Sequence, residues 1–187
     1  GRHFELNTAL WDHPHRPEWH PGAGGAAIHT IVPRADGSML VAMSTGGVYV
    51  SDDGATGWTP RNRGIHVKFM PDEYPEFGQC VHKVAVDAGD PQRMYAQNHH
   101  GVYRSDDGGA TWTNITRNLP STIVTESSRV RISVSGAVGQ PVFAAFVKDT
   151  SGKKRISGVL IITGISPRNS VTLLPSLADA DINRTAA

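Results

Sequence analysis

The feature that most constrains this chain of 187 residues is an internal repeat with a fixed period. Residues 47–58 read GVYVSDDGATGW and residues 101–112 read GVYRSDDGGATW, so the two segments align without a gap. The interval from Phe4 to Trp58 equals the interval from Trp58 to Trp112, so these three aromatic residues follow the period of the repeat. A fixed period of this kind is typical of proteins that stack one supersecondary unit several times. The chain is therefore predicted to be a repeat protein.

Each repeat contains four short segments of β-branched and apolar residues, separated by Gly, Pro or Asp. Such segments are typical of the strands of an antiparallel meander. The predicted strands are 28–32, 39–43, 47–51 and 57–61, then 81–86, 93–97, 101–105 and 111–115. Four antiparallel strands in a repeat of this length form one blade of a β-propeller. We predict an all-β fold, a partial β-propeller with about three four-stranded antiparallel blades and an incomplete ring.

A third repeat begins near residue 129 and then diverges. Its predicted strands are 130–134, 142–147 and 158–162, and residues 164–187 match nothing earlier in the chain. We expect propeller blades over residues 1–163 and a divergent tail over residues 164–187. Within the blades, residues 1–27 are the end of a preceding blade and the loop into the next, 28–61 and 81–118 are two blades, and 129–163 are a divergent partial blade.

Composition favours many turns and excludes two kinds of partner. The chain has 20 Gly and 12 Pro with only 19% charged residues, which favours short strands over helices. The net charge is +1 without a basic block, so neither nucleic acid nor a membrane surface is an expected partner. No apolar run is long enough to span a bilayer, and no signal peptide is visible. The compartment stays open, because Cys80 is the single cysteine and no internal disulfide can form.

The repeated turn has the pattern Ser-x-Asp-x-Gly-x-Thr-Trp in residues 105–112. This pattern resembles the Asp-box, or BNR repeat, of sialidases and sortilin-like propellers. We expect the aspartate to accept hydrogen bonds from turn amides, the glycines to permit a positive φ, and the tryptophan to pack beneath the turn. These roles are structural and not catalytic. The structural residues of the two boxes are Ser51, Asp53, Gly54, Trp58, Ser105, Asp107, Gly108, Thr111 and Trp112.

The resemblance extends from about residue 6 to residue 118. It rests on DHPHRPEW at 12–19, FMPDE at 69–73 and QNHHG at 97–101. In these stretches the chain is similar to bacterial Asp-box proteins of the exo-α-sialidase or glycosyl-hydrolase-like group. The resemblance implies carbohydrate as the partner, and further blades or another chain to close the ring. A sialidase site is not expected, because Arg61, Arg63 and Arg93 are present without the Arg-Ile-Pro motif of sialidases.

Histidines and carboxylates concentrate on one predicted face of the blades. In a four-stranded meander, the link into the first strand and the link from the second to the third strand emerge opposite the box. Clustered imidazoles and carboxylates on the loops of a rigid scaffold suit acid–base or metal chemistry. The candidate catalytic residues are His29, His82, His99, His100, Glu73 and Glu76. The alternative is that each histidine is an ordinary hydrogen-bonded residue of a loop or of the core.

Three functions remain as alternatives. The first is a glycan- or ligand-binding scaffold, the second a glycan-active hydrolase or lyase that uses the His and Glu residues of this face, and the third a piece of a propeller without independent activity. No cofactor is expected, because no Gly-x-Gly-x-x-Gly or Walker-type loop follows a strand. No metal site is assigned, and an ion shared by His29, His82 and one of His99 and His100 is kept as a minor alternative.

Overall fold

The computed structural model describes residues 3–20, 25–116, 119, 123, 129–135, 142–150, 153–163 and 170–173. The chain forms two compact units, Gly1–Val84 and Ala85–Ala187. A short helix α1 (Thr8–Trp11) and a 3₁₀ turn (Arg16–Glu18) precede the strands. The strands are β1 (Ile28–Pro33), β2 (Met39–Met43), β3 (Gly47–Ser51), β4 (Thr59–Pro60), β5 (Lys83–Val86), β6 (Met94–Asn98), β7 (Gly101–Ser105), β8 (Thr113–Asn114), β9 (Arg129–Val134), β10 (Val142–Thr150), β11 (Lys153–Thr163) and β12 (Ser170–Leu173).

The first unit contains an antiparallel sheet in the order β1–β2–β3–β4. Strands β2 and β3 pair from Met39 with Ser51 to Met43 with Gly47, and nearly all of their residues are buried. The chain before β1 packs against these strands. The resulting apolar core contains Leu10, Trp19, Val41, Met43, Tyr49 and Trp58. The segment that precedes the blade is thus part of the core of this unit.

The second unit contains two antiparallel sheets, β5–β6–β7–β8 and β9–β10–β11–β12. The boundary between the units falls within β5, after Val84. One apolar core joins the two sheets and contains Tyr95, Val102, Ile123, Val130, Ile132, Val142, Ala144 and Phe146. Phe146 is fully buried there, and burial of such a side chain contributes about 1.5–3 kcal/mol to folding. Adjacent sheets of this unit are therefore held together by side chains of β6 and β7 on one side and of β9 and β10 on the other.

The turn between β3 and β4 is organised by the carboxylate of Asp53. Ser51 Oγ donates to Asp53 Oδ1 (2.7 Å), which also accepts the backbone N–H of Thr56 (3.1 Å) and of Gly57 (2.9 Å). Gly54 has a φ of +73°, a conformation that glycine adopts without strain. Hydrogen bonds from Ser51, Thr56 and Gly57 lower the pKa of Asp53 to about 2. This exposed carboxylate is thus a structural acceptor in the turn.

The turn between β7 and β8 has the same bonds at the equivalent positions of the repeat. Ser105 Oγ donates to Asp107 Oδ1 (2.7 Å), which accepts the backbone N–H of Thr111 (2.9 Å). The Thr111 hydroxyl donates to Asp107 Oδ2 (2.5 Å), a bond that Gly57 has no hydroxyl to make in the first turn. Partial burial raises the pKa of Asp107, but the hydrogen bonds from Thr111 and Ser105 outweigh burial, so the net direction is down. The repeat in the sequence is therefore also a repeat in hydrogen bonding.

A second hydrogen bond recurs just after the fourth strand of each blade. Asn62 Oδ1 accepts the backbone N–H of Val48 (2.7 Å), and Thr116 Oγ1 accepts that of Val102 (3.1 Å), again at equivalent positions of the repeat. An asparagine in the first blade and a threonine in the second thus make the same hydrogen bond to the third strand. Gly47 begins β3 beneath this bond with a φ of +86°, and a Cβ atom there would meet the Asn62 side chain.

The predicted fold class, an all-β partial propeller of four-stranded antiparallel blades, is confirmed. Trp58 and Trp112 are buried, with 9% and 4% of their surface exposed. The fourth strands β4 and β8 are shorter than predicted, and β11 is longer. Strand β12 lies within the segment assigned to the divergent tail and pairs with β11. No helix among the described residues is long and apolar enough to cross a membrane.

Candidate functional site

Two of the predicted site residues, His29 and His82, lie together in the first unit, with ring centroids 5.0 Å apart. Cys80 joins them, because its Sγ is 3.1 Å from His82 Nε2. One potential ligand atom from each of these three residues lies within 4.8 Å of the others. In the part of the chain that the structure describes, this is the one such group of three His, Cys or acidic side chains. We call it the His29 cluster.

A β-bulge presents His29. The register between β1 and β2 shifts between Ile28 and Thr30, so His29 has no partner on β2. Bulges redirect side chains and often lie beside functional sites. Ser44, the residue after β2, shares a hydrogen bond of 2.7 Å between its Oγ and His29 Nε2. The bulge and this bond together fix an imidazole on a residue that is exposed to solvent.

The segment before β5 presents Cys80 and His82 on the same side of the chain. Val81 lies between them and is fully buried, and its backbone N–H donates to the Met43 carbonyl (3.3 Å). Successive side chains of an extended segment point in opposite directions, so Cys80 and His82 face away from the core that holds Val81. Thr30 Oγ1 donates to the His82 carbonyl (3.4 Å) and ties the segment to β1. The fold thus brings the three residues of the cluster together from two separate stretches.

A cleft of about 340 Å³ lies in the same unit, and we call it the Trp11 cleft. Its apolar lining includes Leu6, Leu10, Trp11, Trp19, Ile28 and Met43, and its polar lining consists of Glu5, Asn7, Arg16 and Ser44. Trp11 keeps 53% of its surface exposed. Ser44 also bonds His29, so the cleft and the His29 cluster are neighbours. A largely apolar cleft with a few polar groups is the usual form of a small-ligand site.

Arg16 orders the aromatic wall of the cleft. Its guanidinium carbon lies 4.9 Å from the ring centroid of Trp11 and 5.8 Å from that of Trp19, within the range of cation–π attraction. Trp19 Nε1 donates to the hydroxyl of Tyr49 (3.2 Å), which fixes Trp19 in the core. The indole of Trp19 is therefore anchored, while the indole of Trp11 is open to a ligand.

Two further histidines, His13 and His15, are half-buried and pack against the core around Tyr49. His15 Nδ1 shares a hydrogen bond of 2.9 Å with the Tyr49 hydroxyl, and the His15 ring stacks on Phe77 at 4.1 Å. His13 Nε2 shares a hydrogen bond of 3.2 Å with the carbonyl of Trp58, and burial lowers the pKa of His13. Burial also raises the pKa of Tyr49 above its usual range. These two histidines therefore fit the alternative in which a histidine is an ordinary hydrogen-bonded residue of a loop or of the core.

The predicted carboxylates Glu73 and Glu76 lie in the long loop before β5. Glu73 Oε2 is 3.5 Å from His66 Nε2, and the Glu73 carbonyl accepts the backbone N–H of Val67 (2.9 Å). The Glu76 carbonyl accepts a hydrogen bond from Asn62 Nδ2 (3.0 Å), while its side chain is exposed. The structure therefore pairs Glu73 with His66, a partner that the sequence did not single out.

His99 and His100 form the link between β6 and β7 in the second unit. Their ring centroids are 6.4 Å apart and the rings are tilted by 59°. The backbone N–H of His100 donates to Asn98 Oδ1 (2.8 Å). His99 is exposed and His100 is half-buried. Their predicted convergence with His29 and His82 stays a prediction.

Sequence reasoning missed Cys80, Trp11 and Arg16. A signal for Cys80 was present, because the segment Cys80-Val81-His82 alternates polar and apolar residues within and just before the predicted strand 81–86. No comparable signal existed for Trp11 and Arg16. Their site arises only when the chain before β1 packs onto the blade.

Comparisons with known proteins support the fold and leave the function open. No protein-family model and no curated protein match this chain. Among solved structures, it is similar to an ancestral GH74 enzyme, with a TM-score of 0.54 and 16% sequence identity over 87% of this chain. The chain spans 20% of the length of that enzyme. At this identity the similarity shows the fold alone, which is that of a β-propeller with four-stranded antiparallel blades.

Proposed function

We propose that this chain is an Asp-box propeller segment that binds carbohydrate in the Trp11 cleft. The Asp-box assignment is supported by the repeated bonds of Asp53 and Asp107 to turn amides and by the buried Trp58 and Trp112 beside them. The similarity to a β-propeller glycosidase supports a glycan-related scaffold. The cleft supplies the place where a ligand would bind.

The observation that carries this proposal is the exposed indole of Trp11 beside the anchored Trp19. A sugar ring has an apolar face of C–H groups and a rim of hydroxyls. An aromatic wall matches the face, and a few polar groups at the edge of the cleft match the rim. Arg16 supplies donors and Glu5 supplies acceptors at that edge.

The charge of the lining favours a neutral oligosaccharide. Glu5 and Arg16 carry opposite charges, and they are the charged residues of the lining. An acidic sugar is usually held by guanidinium groups whose N–H donors meet its carboxylate in the plane of the guanidinium. Arg16 instead lies over two indole rings. The proposed ligand class is therefore a neutral hexose or pentose oligosaccharide.

Calorimetric titration of the purified chain with cellohexaose, xylohexaose, maltohexaose and sialyllactose tests the proposal. We expect one neutral oligosaccharide to bind with a Kd between about 1 μM and 1 mM, which corresponds to about −8 to −4 kcal/mol. Trp11→Ala should weaken binding at least about tenfold, because the stacking surface is lost. Phe69→Ala is the matched control, since Phe69 is a similarly exposed aromatic outside the cleft lining. Binding to sialyllactose alone, to no neutral sugar, or equally to parent and Trp11→Ala would contradict the proposal.

A glycan-active hydrolase or lyase is the second candidate, favoured by the pair of His66 and Glu73. An imidazole and a carboxylate 3.5 Å apart can exchange a proton with a bound substrate, as acid–base catalysis requires. Because neither residue lines the Trp11 cleft, Glu73→Gln should then abolish the release of new sugar ends from an oligosaccharide substrate while leaving the Kd of the cleft unchanged. Product analysis by mass spectrometry checks this, and intact oligosaccharide after incubation with the parent would exclude the second candidate.

We propose that further propeller blades, supplied by this chain or by another, pack against the edge strand β1. Strand β1 is an edge strand of its sheet, and Ile31, which does not line the Trp11 cleft, exposes 58% of its surface. Exposed apolar residues on an edge strand favour association. Sedimentation equilibrium should show self-association of the chain, and Ile31→Lys should reduce it. A parent that stays monomeric at high concentration would argue against this partner.

A further inference from the structure

We propose that His29, Cys80 and His82 bind one Zn²⁺ ion. Two imidazoles and one thiolate are the nitrogen and sulfur donors that zinc prefers in proteins. The same donors suit Co²⁺, which reports on its ligands by colour, and disfavour Mg²⁺ and Ca²⁺, which prefer oxygen. The proposal does not depend on carbohydrate binding, because none of its three ligands lines the Trp11 cleft.

The spacing of the donor atoms is close to that of a tetrahedral site. With Zn–N and Zn–S distances of about 2.0 and 2.3 Å, the ligand atoms of a tetrahedron lie about 3.3–3.6 Å apart. In the His29 cluster, the Cys80 and His82 atoms are 3.1 Å apart and all three atoms lie within 4.8 Å. The separations therefore exceed those of a tetrahedron by at most about 1.5 Å, which is within the reach of side-chain rotation.

The backbone around the cluster is held in place before any ion binds. Val81 is fully buried between Cys80 and His82, which keeps both on the same side of the segment. On the facing strand, the β-bulge presents His29. Such fixed ligands lose little conformational freedom on binding, so less of the binding free energy is spent on ordering them.

Ser44 supplies the outer contact that a metal-binding imidazole usually has. Its Oγ shares a hydrogen bond with His29 Nε2 at 2.7 Å, and only 8% of the Ser44 surface is exposed. A partner on one ring nitrogen orients the ring and sets which nitrogen carries the proton. For Ser44 to keep this bond, the ion must bind His29 through its other ring nitrogen, Nδ1.

Three protein ligands leave one corner of the tetrahedron open. His29 is exposed and Cys80 and His82 are half-buried, so water can reach the ion. Zinc sites with three protein ligands and a bound water are the reactive kind, whereas closed sites with four protein ligands are structural. We therefore expect an exchangeable site that binds small anionic or neutral oxygen ligands through the ion.

Titration of the full chain with Co²⁺, followed by displacement with Zn²⁺, tests the proposal. We expect one equivalent of Co²⁺ to produce a thiolate-to-cobalt charge-transfer band in the near ultraviolet and the strong visible absorption of a tetrahedral complex. Zn²⁺ should displace the cobalt and bleach both. Calorimetry in two buffers of different ionisation enthalpy should show release of a proton from the Cys80 thiol, because only the thiolate binds the metal.

Variants separate this site from chance binding to surface histidines. Cys80→Ser should remove the charge-transfer band and weaken Zn²⁺ binding at least about tenfold, and Ser44→Ala should weaken it by about 10-fold through the lost outer contact. His20→Ala is the matched control, because His20 is an exposed histidine of the same unit outside the cluster. Trp11→Ala should leave the ion titration unchanged. The metal proposal can therefore stand or fall independently of carbohydrate binding.

Two outcomes would overturn the metal site. One is a parent that gives no charge-transfer band with Co²⁺, and the other is Zn²⁺ binding that is equal in the parent, Cys80→Ser and His29→Ala. Thermal melting without metal shows that the variants are folded. His82→Ala provides a second ligand variant if Cys80→Ser fails to fold.

Discussion

The blades of residues 28–61 and 81–115 share a scaffold and differ in what surrounds it. Both have the carboxylate-centred turn, the buried tryptophan after it and the closing bond to the third strand. The first blade is packed by the chain that precedes it, whereas the second shares its core with the next sheet. The difference teaches that the turn and closing residues which recur from one repeat to the next hold the fold, while the Trp11 cleft is formed largely by a segment that occurs once.

Tyr49 and Tyr103 illustrate this division at one repeated position. Both are fully buried in the third strand of their blade. In the first blade, the hydroxyl of Tyr49 accepts a hydrogen bond from Trp19 and shares one with His15, and both of these residues come from the preceding segment. A scaffold residue thereby anchors the wall of the Trp11 cleft. The cleft is an addition to a blade and does not replace any part of it.

The largest expected effect is the loss of a tryptophan beneath a repeated turn. Trp112→Ala and Trp58→Ala should each cost about 3–5 kcal/mol in the free energy of unfolding, the usual range for a large buried aromatic side chain. Urea denaturation measures the cost. Trp58→Ala should in addition weaken carbohydrate binding, because the bond from Trp58 Nε1 to Asn7 Oδ1 (3.1 Å) holds the segment that forms the cleft. Variants as stable as the parent would refute the structural account of the turns.

A smaller effect is expected from the carboxylate of the second turn. Asp107→Ala leaves the backbone N–H and hydroxyl of Thr111 without their acceptor. Asp107 is exposed, so water replaces much of the lost bonding, and the expected cost is about 1 kcal/mol at the lower end of the range for a lost hydrogen-bond partner. Urea denaturation of Asp107→Ala beside Asp107→Asn checks this, because asparagine keeps an acceptor and should recover part of the loss.

The smallest expected effect is a pH dependence that comes from the first turn. The pKa of Asp53 is lowered to about 2 in the folded chain, so its carboxylate stabilises the fold above pH ~4 and loses this contribution as the pH falls through ~2. Melting temperatures of the parent and of Asp53→Asn should therefore converge as the pH is lowered across this window. A difference between them that is constant from pH 5 to pH 2 would show that the charge of Asp53 has no part in the turn.

Much of the fold could be predicted because the repeat carries it. Strands β2, β3 and β7 coincide with the predicted segments, since each lies at a fixed distance from a turn with strong local chemistry. The fourth strands were overestimated: β4 consists of Thr59–Pro60 and β8 of Thr113–Asn114. In both blades a side chain just after the strand, Asn62 or Thr116, accepts the backbone N–H of the third strand in place of a further strand residue. The third sheet was only partly predicted, because its turns lack the repeated carboxylate and the pattern gave no position for β12.

The candidate sites were less predictable than the fold. The proximity of His29 and His82 follows from the neighbouring positions of their strands in the repeat, and the structure brings these two together. The alternation of Cys80, Val81 and His82 could have placed Cys80 beside His82, but its approach to His29 depends on a bulge that no sequence pattern marks. His13 and His15 lie among prolines in the sequence, yet the structure packs them on Tyr49 and Phe77 beside the core.

The solitary thiol of Cys80 gives the chain a built-in attachment point. Because the sequence has one cysteine, a maleimide dye or a nitroxide spin label attaches at one place without any prior mutagenesis. That place is half-buried and 3.1 Å from the His82 ring, so the label reports directly on this corner of the first unit. Protection of Cys80 from alkylation by added Zn²⁺ would then follow occupancy of the cluster in a simple gel-shift or mass-spectrometric assay.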